Sequence, residues 1–86
     1  MIKIKQFKIW ISGKLTPVDY LYILCNTDNL KDTATFYYAL HNEINGEIGN
    51  LVANGNLTMS GVDYDGFNSN EYAINWVASQ LKITIL

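Results

Sequence analysis

Arginine is missing from the 86 residues, and cysteine, histidine and proline occur once each, as Cys25, His41 and Pro17. A single cysteine excludes an intrachain disulfide and a cysteine-based zinc cluster, and it fits a reducing compartment. Without arginine the chain lacks the side chain that reads guanine and phosphate through paired hydrogen bonds. A pI near 5.0 also points away from nucleic acid. Long apolar runs are absent too. The longest, Tyr20 to Cys25, falls far short of the roughly twenty residues of a membrane-spanning helix, and no apolar signal stretch follows Met1, so the chain is expected to be soluble and unexported.

What is present is enough for one core. Apolar residues make up 49% of the chain, aromatic ones 13% and charged ones 16%, which places it among folding chains and not among charge-dominated disordered ones. At this length residues 1–86 form a single domain. Charge is unevenly placed. Lys3, Lys5, Lys8 and Lys14 give the first fourteen residues +4 with no acid, and the other two lysines against eight acids give −6, hence the net −2.

Ile2 to Ser12 alternates apolar and polar, but its phase slips between Ile4 and Phe7, and a bulge near Lys5 or Gln6 would reconcile the halves. Gly13 to Pro17 reads as turn material, Val18 to Cys25 as a second strand, and Asn26 to Asp32 as a loop. Thr33 to Ile44 reads as a third strand. Asn45-Gly46 then supplies the positive φ that a two-residue hairpin turn requires. That turn pairs Leu40 with Leu51, Tyr38 with Ala53, Phe36 with Gly55 and Ala34 with Leu57, large residues facing small ones. A connection over 13–17 pairs Phe7 with Ile23, Ile9 with Leu21, and Trp10 with Tyr20. Beyond Met59 a short helical turn is expected around Asp63. A helix follows, capped by Asn68 or Ser69, with Glu71 in its first turn, Lys82 in its last, and a stripe from Ala73 to Leu81 that needs a sheet to lie on.

The predicted class is α+β: a four-stranded antiparallel meander, one C-terminal helix packed on one face, and Ile83–Leu86 returning as a short final edge strand. One helix covers one face. The other face carries Trp10, Tyr20, Tyr22, Leu24, Tyr37, Ala39 and Val52, more than a soluble monomer usually leaves bare, so another protein or another copy is expected to cover it.

Catalytic patterns are weak. A Cys25–His41 dyad would bring together a thiol and the only imidazole, but the strand assignments put them roughly 20 Å apart on opposite faces. No Gly-x-Ser-x-Gly elbow occurs. An EF-hand loop counted from Asp63 places Phe67 at the fifth position and Glu71 at the ninth, not the twelfth, so Asp63, Asp65 and Glu71 read as turn and helix-start residues. Neither Gly13-Lys14 nor Gly46-Glu47-Ile48-Gly49 completes a phosphate loop. Lys3, Lys5 and Lys8 beside Phe7 and Trp10 make only a thin patch for single-stranded nucleic acid and serve equally as edge-strand guards. No enzyme activity, cofactor, metal or small-molecule substrate is expected.

The run Gly55 to Tyr64, then Tyr72-Ala73 and Trp76-Val77, then Ile83-Thr84-Ile85, resembles small proteins of tailed phages and prophages, as do the opening Phe7-Lys8-Ile9-Trp10 and the Ala34-Thr35-Phe36-Tyr37-Tyr38 strand. The likeness spans most of the chain, but its motifs are structural and no site residue is carried over. It implies a virion or phage-accessory role, in a particle or the host cytoplasm. Abundant asparagine and lysine without arginine fit an AT-rich genome. The expected function is therefore a non-enzymatic structural or assembly module that self-associates through its aromatic face; the alternative is an accessory protein that binds and regulates a host protein.

Overall fold

Two turns, each with two consecutive positive φ angles, set one end of the sheet: Ser12-Gly13 (51° and 76°) and Asn45-Gly46 (54° and 79°). This is the backbone of a type I′ turn, whose twist matches the strands that it joins. In the computed structural model, which describes residues 1–86, these turns link β1 (Ile2–Ile11) to β2 (Lys14–Asp28) and β3 (Thr33–Ile44) to β4 (Glu47–Ser60). The four strands form one antiparallel sheet in the order β1-β2-β3-β4. Two short helices follow, α1 (Gly61–Asp65) and α2 (Asn70–Gln80).

The first hairpin corrects the expected turn. Residues 14–17 belong to β2, so Phe7 faces Val18 and Trp10 faces Leu15 instead of Ile23 and Tyr20. Ser12 accepts the left-handed backbone that was assigned to a longer, glycine- and proline-bounded connection. Pro17 is tolerated inside the strand because pairing of β2 with β3 stops at Tyr20–His41, leaving β2 a neighbour on one side only at Pro17. The phase slip in β1 is real: the register shifts between Lys3 and Phe7, and Ile4 turns into the core while Lys5 and Gln6 stay in solvent.

The second hairpin has the expected turn but different partners. Register shifts on either side of His41 each add one residue to β4, so Leu40 faces Ala53, Tyr38 faces Gly55, Phe36 faces Leu57 and Ala34 faces Met59. Two single shifts restore the phase, and the same β3 residues point inward although each partner has moved by two. The ring over Gly55 is accordingly that of Tyr38 and not Phe36.

Helix α2 forms because Ser69 caps it, its Oγ accepting a hydrogen bond from the Tyr72 backbone N–H at 3.1 Å, with Glu71 in the first turn. Its buried residues Ala73, Val77 and Ala78 join two clusters. One contains Ile4, Val18, Leu21, Leu40 and Ile83, the other Ala34, Phe36 and Met59. Phe36 anchors the second, with Phe67 and Trp76 ring centroids 5.6 and 6.0 Å away. The Trp76 indole N–H is buried without a partner.

Two expectations at the C-terminus are overturned. Lys82 is not in the last helical turn: Leu81 is the C-cap, and Lys82 follows in a left-handed conformation at φ 58°. Ile83–Leu86 forms no final edge strand but a single bridge between Ile85 and Ile4, flanked by bonds from the Lys5 N–H to the Thr84 carbonyl (2.8 Å) and from the Leu86 N–H to the Lys3 carbonyl (3.3 Å). The β1 bulge interrupts the edge there, so a ladder cannot extend.

One buried carboxylate joins three strands. Asp19, 8% exposed, accepts from the Gln6 amide at 2.8 Å and from the Glu43 backbone N–H at 3.0 Å. Beyond this point the two hairpins separate, each tip a two-stranded ribbon. The outline is correspondingly long, 41 × 24 × 18 Å. Its radius of gyration of 13.8 Å exceeds the roughly 12 Å of a compact chain of this length. Its surface of 5615 Å² exceeds the roughly 5,100 Å² expected at this mass.

Gly55→Ala is expected to destabilise by about 1–3 kcal/mol, because a Cβ there would lie 2.7–3.1 Å from the Tyr38 ring and hydroxyl. A thermal melt should show a lower midpoint, by about 4–8 °C per kcal/mol. Asp19→Ala should likewise cost about 1–3 kcal/mol by stranding two donors, and Asp19→Asn, which keeps one acceptor, should lose less.

Candidate functional site

The outer face of the sheet is set by the β2–β3 register, which places Tyr20 against His41, Tyr22 against Ala39 and Leu24 against Tyr37. Tyr22 and Tyr37 meet edge to face, their centroids 6.4 Å apart at 66°. Tyr22 is 37% exposed and Leu24 50%. On the β4 side the border is polar and uncharged: the Asn54 amide donates to the Tyr37 hydroxyl at 3.1 Å, and the Thr35 and Thr58 hydroxyls lie 3.2 Å apart. At the β1 side Tyr20 donates to Glu43 at 2.9 Å, Glu43 pairs with Lys3 at 3.5 Å, and the Lys3 ammonium lies 6.0 Å from the Tyr20 ring centroid.

Of the residues predicted for an interface, the structure brings together Tyr20, Tyr22, Leu24 and Tyr37, with Ala39 among them. Trp10 is elsewhere. It stands on the β1–β2 tip, paired with Leu15, which lies five residues or about 17 Å along β2 from Tyr20. Val52 occupies one of the β4 bulges, half-buried and packed on the inner cluster that contains Leu40. Leu15, 57% exposed beside a 69% exposed Trp10, went unnoticed in the sequence because residues 13–17 read as a turn.

A second concave feature lies between the sheet and α2. Because β1 pairs with β2 only as far as Leu21, the edge of β2 from Tyr22 onward has no neighbour on that side. A groove of about 240 Å³ opens there, lined by Ile2, Ile23, Cys25, Phe67, Ala73 and Ile74 among others. At its end Tyr64 donates to the Asp28 carboxylate at 2.7 Å, and its ring meets Phe67 at 6.2 Å. The β2–β3 loop beside it is organised by Asn29, whose Oδ1 accepts from the N–H groups of Lys31, Asp32 and Thr33.

Cys25 pairs with Phe36 on the inner side, while His41 opposes Tyr20 on the outer side, five residues away along β2. Partial burial, with the Asp28 charge second, raises the Cys25 thiol above its ordinary value and disfavours the nucleophilic thiolate. His41 Nδ1 lies 3.3 Å from the Gly49 carbonyl, which can only accept, so the proton of that contact sits on Nδ1. Asp63, Asp65 and Glu71 belong to no group of three or more ligands arranged to hold a metal. Lys3, Lys5 and Lys8 are exposed, and Lys3 is held by Glu43. No helix is long and apolar enough to cross a membrane.

No protein-family model matches the chain, and neither the curated proteins nor the solved structures yield a match.

Tyr20 and Tyr64 both have pKa values raised above 10.0, chiefly by donating to Glu43 and Asp28, with desolvation and neighbouring carboxylate charge adding to it. A folded-state pKa above the unfolded one gives stability that is fully present below about pH 10 and is lost as pH rises through the folded value. Stability should therefore fall on the alkaline side. Tyr20→Phe and Tyr64→Phe should each flatten that fall in denaturant titrations; an unchanged alkaline slope in both would contradict the assignment.

Proposed function

We propose that the chain is a non-enzymatic structural or assembly module of the phage-particle kind, working in a virion or the host cytoplasm, and that copies associate through the Tyr20, Tyr22, Leu24 and Tyr37 face. The observation that carries this reading is the placement of the helices. The buried residues of α2 all join clusters on the inner side of the sheet, while on the outer side Tyr22 and Leu24 are exposed and Tyr37 is half-buried. Rings packed edge to face and bordered by asparagine and threonine give a flat apolar centre with a polar rim, the composition of a protein–protein contact. The likeness of Gly55 to Tyr64 and of the α2 motifs to small tailed-phage proteins supports the particle context. The raised thiol pKa of Cys25 and its separation from His41 favour a role without catalysis.

At micromolar concentration, chromatography with light scattering should return a mass above 9.7 kDa. Tyr22→Lys and Tyr37→Lys should each lower it while leaving circular dichroism unchanged, since a buried ammonium on each side of the contact is uncompensated. A wild-type chain that stays monomeric would reject self-association. Lysine variants with the wild-type mass would reject this face.

A further inference from the structure

We propose that copies also join head to tail, the β1–β2 hairpin tip of one molecule seating Trp10 in the groove beside α2 of the next. The inference shares with the assembly reading the premise that copies self-associate, but it uses other surfaces.

Charge first identifies the partner. The β1–β2 ribbon beyond Asp19 carries Lys8 and Lys14 and no acid, Glu43 and Glu47 lie on the separate β3–β4 ribbon, and Lys3–Glu43 is the only salt bridge in the molecule. At the opposite end of β2, beside the groove, lie Asp28, Asp32, Asp63, Asp65 and Glu71 against Lys31 alone. Asp28 accepts from the Tyr64 hydroxyl, and the Tyr64 ring meets the groove-lining Phe67, so this carboxylate stands at the end of the groove. The basic β1–β2 ribbon and the acidic groove end thus lie at opposite ends of β2. A ribbon of one sign and a recess bordered by the other attract each other.

Shape and polarity agree with charge. Trp10 and Leu15 form an exposed apolar pair at the tip, and the lining of the groove is almost wholly apolar. A tryptophan seated in a well-packed apolar recess is the usual centre of a strong contact. The bordering edge of β2 is also unguarded. From Tyr22 to Thr27 it has no charged residue and no proline, whereas β1 carries Lys3, Lys5 and Lys8. Natural edges that must stay free are protected by charge, and this one offers open backbone groups beside the recess. Because tip and groove are different surfaces, the contact is heterologous, and repetition gives a ring or a filament according to its rotation.

The test uses two variants that each lose one half of the contact, both in a Tyr37→Lys background so that the sheet face contributes nothing. Trp10→Glu removes the tip and Cys25→Lys fills the groove with a like charge; both positions are exposed, so circular dichroism should be unchanged. Each variant alone should be monomeric by light scattering, and an equimolar mixture should form a one-to-one dimer and nothing larger, because only one tip and one groove remain intact. That dimer should weaken as salt rises. A mixture that stays monomeric, or either variant assembling alone, would overturn the head-to-tail contact. Tyr37→Lys leaving the wild-type mass unchanged would instead overturn the sheet-face reading, and a monomeric wild type would overturn both.

Discussion

The lid is too short for the sheet, and most of the molecule's character follows from that mismatch. Eleven residues of α2 span about 16 Å, while fifteen residues of β2 span about 50 Å if straight. A helix of that length can bury only the part of the inner face that it lies across. The core is accordingly concentrated in two clusters around Ala73, Val77 and Ala78, and Trp10, Leu15, Ile44 and Ile48 stand exposed on the tips beyond them. Only 13 of 86 residues are buried, so the stability gained from apolar burial is small, and single features such as Asp19 or Gly55 carry a large share of it.

Where the lid ends, Asp19 takes over. The β1 bulge turns Ile4 inward and places Gln6 beside the carboxylate, while the end of β3 brings the Glu43 N–H to its other oxygen. A lone buried carboxylate would be strongly unfavourable, but two donors satisfy it. The cost is met at the one place where β2 parts from β3. The bulge therefore serves both the packing of Ile4 and the polar junction that keeps the hairpins together.

Much of this organisation could be read from residue order. Asn45-Gly46, the β3 limits at Thr33 and Ile44, the slip near Gln6, the turn around Asp63 and the Ser69 cap all rest on local chemistry that acts within a few residues. The errors came where a choice depended on distant neighbours. Ser12-Gly13 competed with a longer stretch containing Pro17, and Pro17 is acceptable in β2 only because β3 has already turned away. The partner shift in the second hairpin arises from irregularities at His41, for which the local pattern of β4 offers no signal. Of the aromatic face, Tyr20, Tyr22, Leu24 and Tyr37 follow from alternation alone. Trp10 and Val52 depend on the first-hairpin register and a bulge, and the groove depends on where β1 stops; none of these has a local signature.

A short lid leaves two kinds of surface, and they differ physically. The outer face carries rings, small residues and amides, with charge confined to the Lys3–Glu43 pair beside Tyr20. The β1–β2 tip and the groove are unlike: the tip is convex, with Lys8, Lys14 and an exposed indole, and the groove is recessed and apolar, with Asp28 at its end. Helix α2 lies on the inner side of the sheet and leaves both open. Four of the six lysines fall in the first fourteen residues, so the β1–β2 tip differs from the groove end in charge as well as in shape.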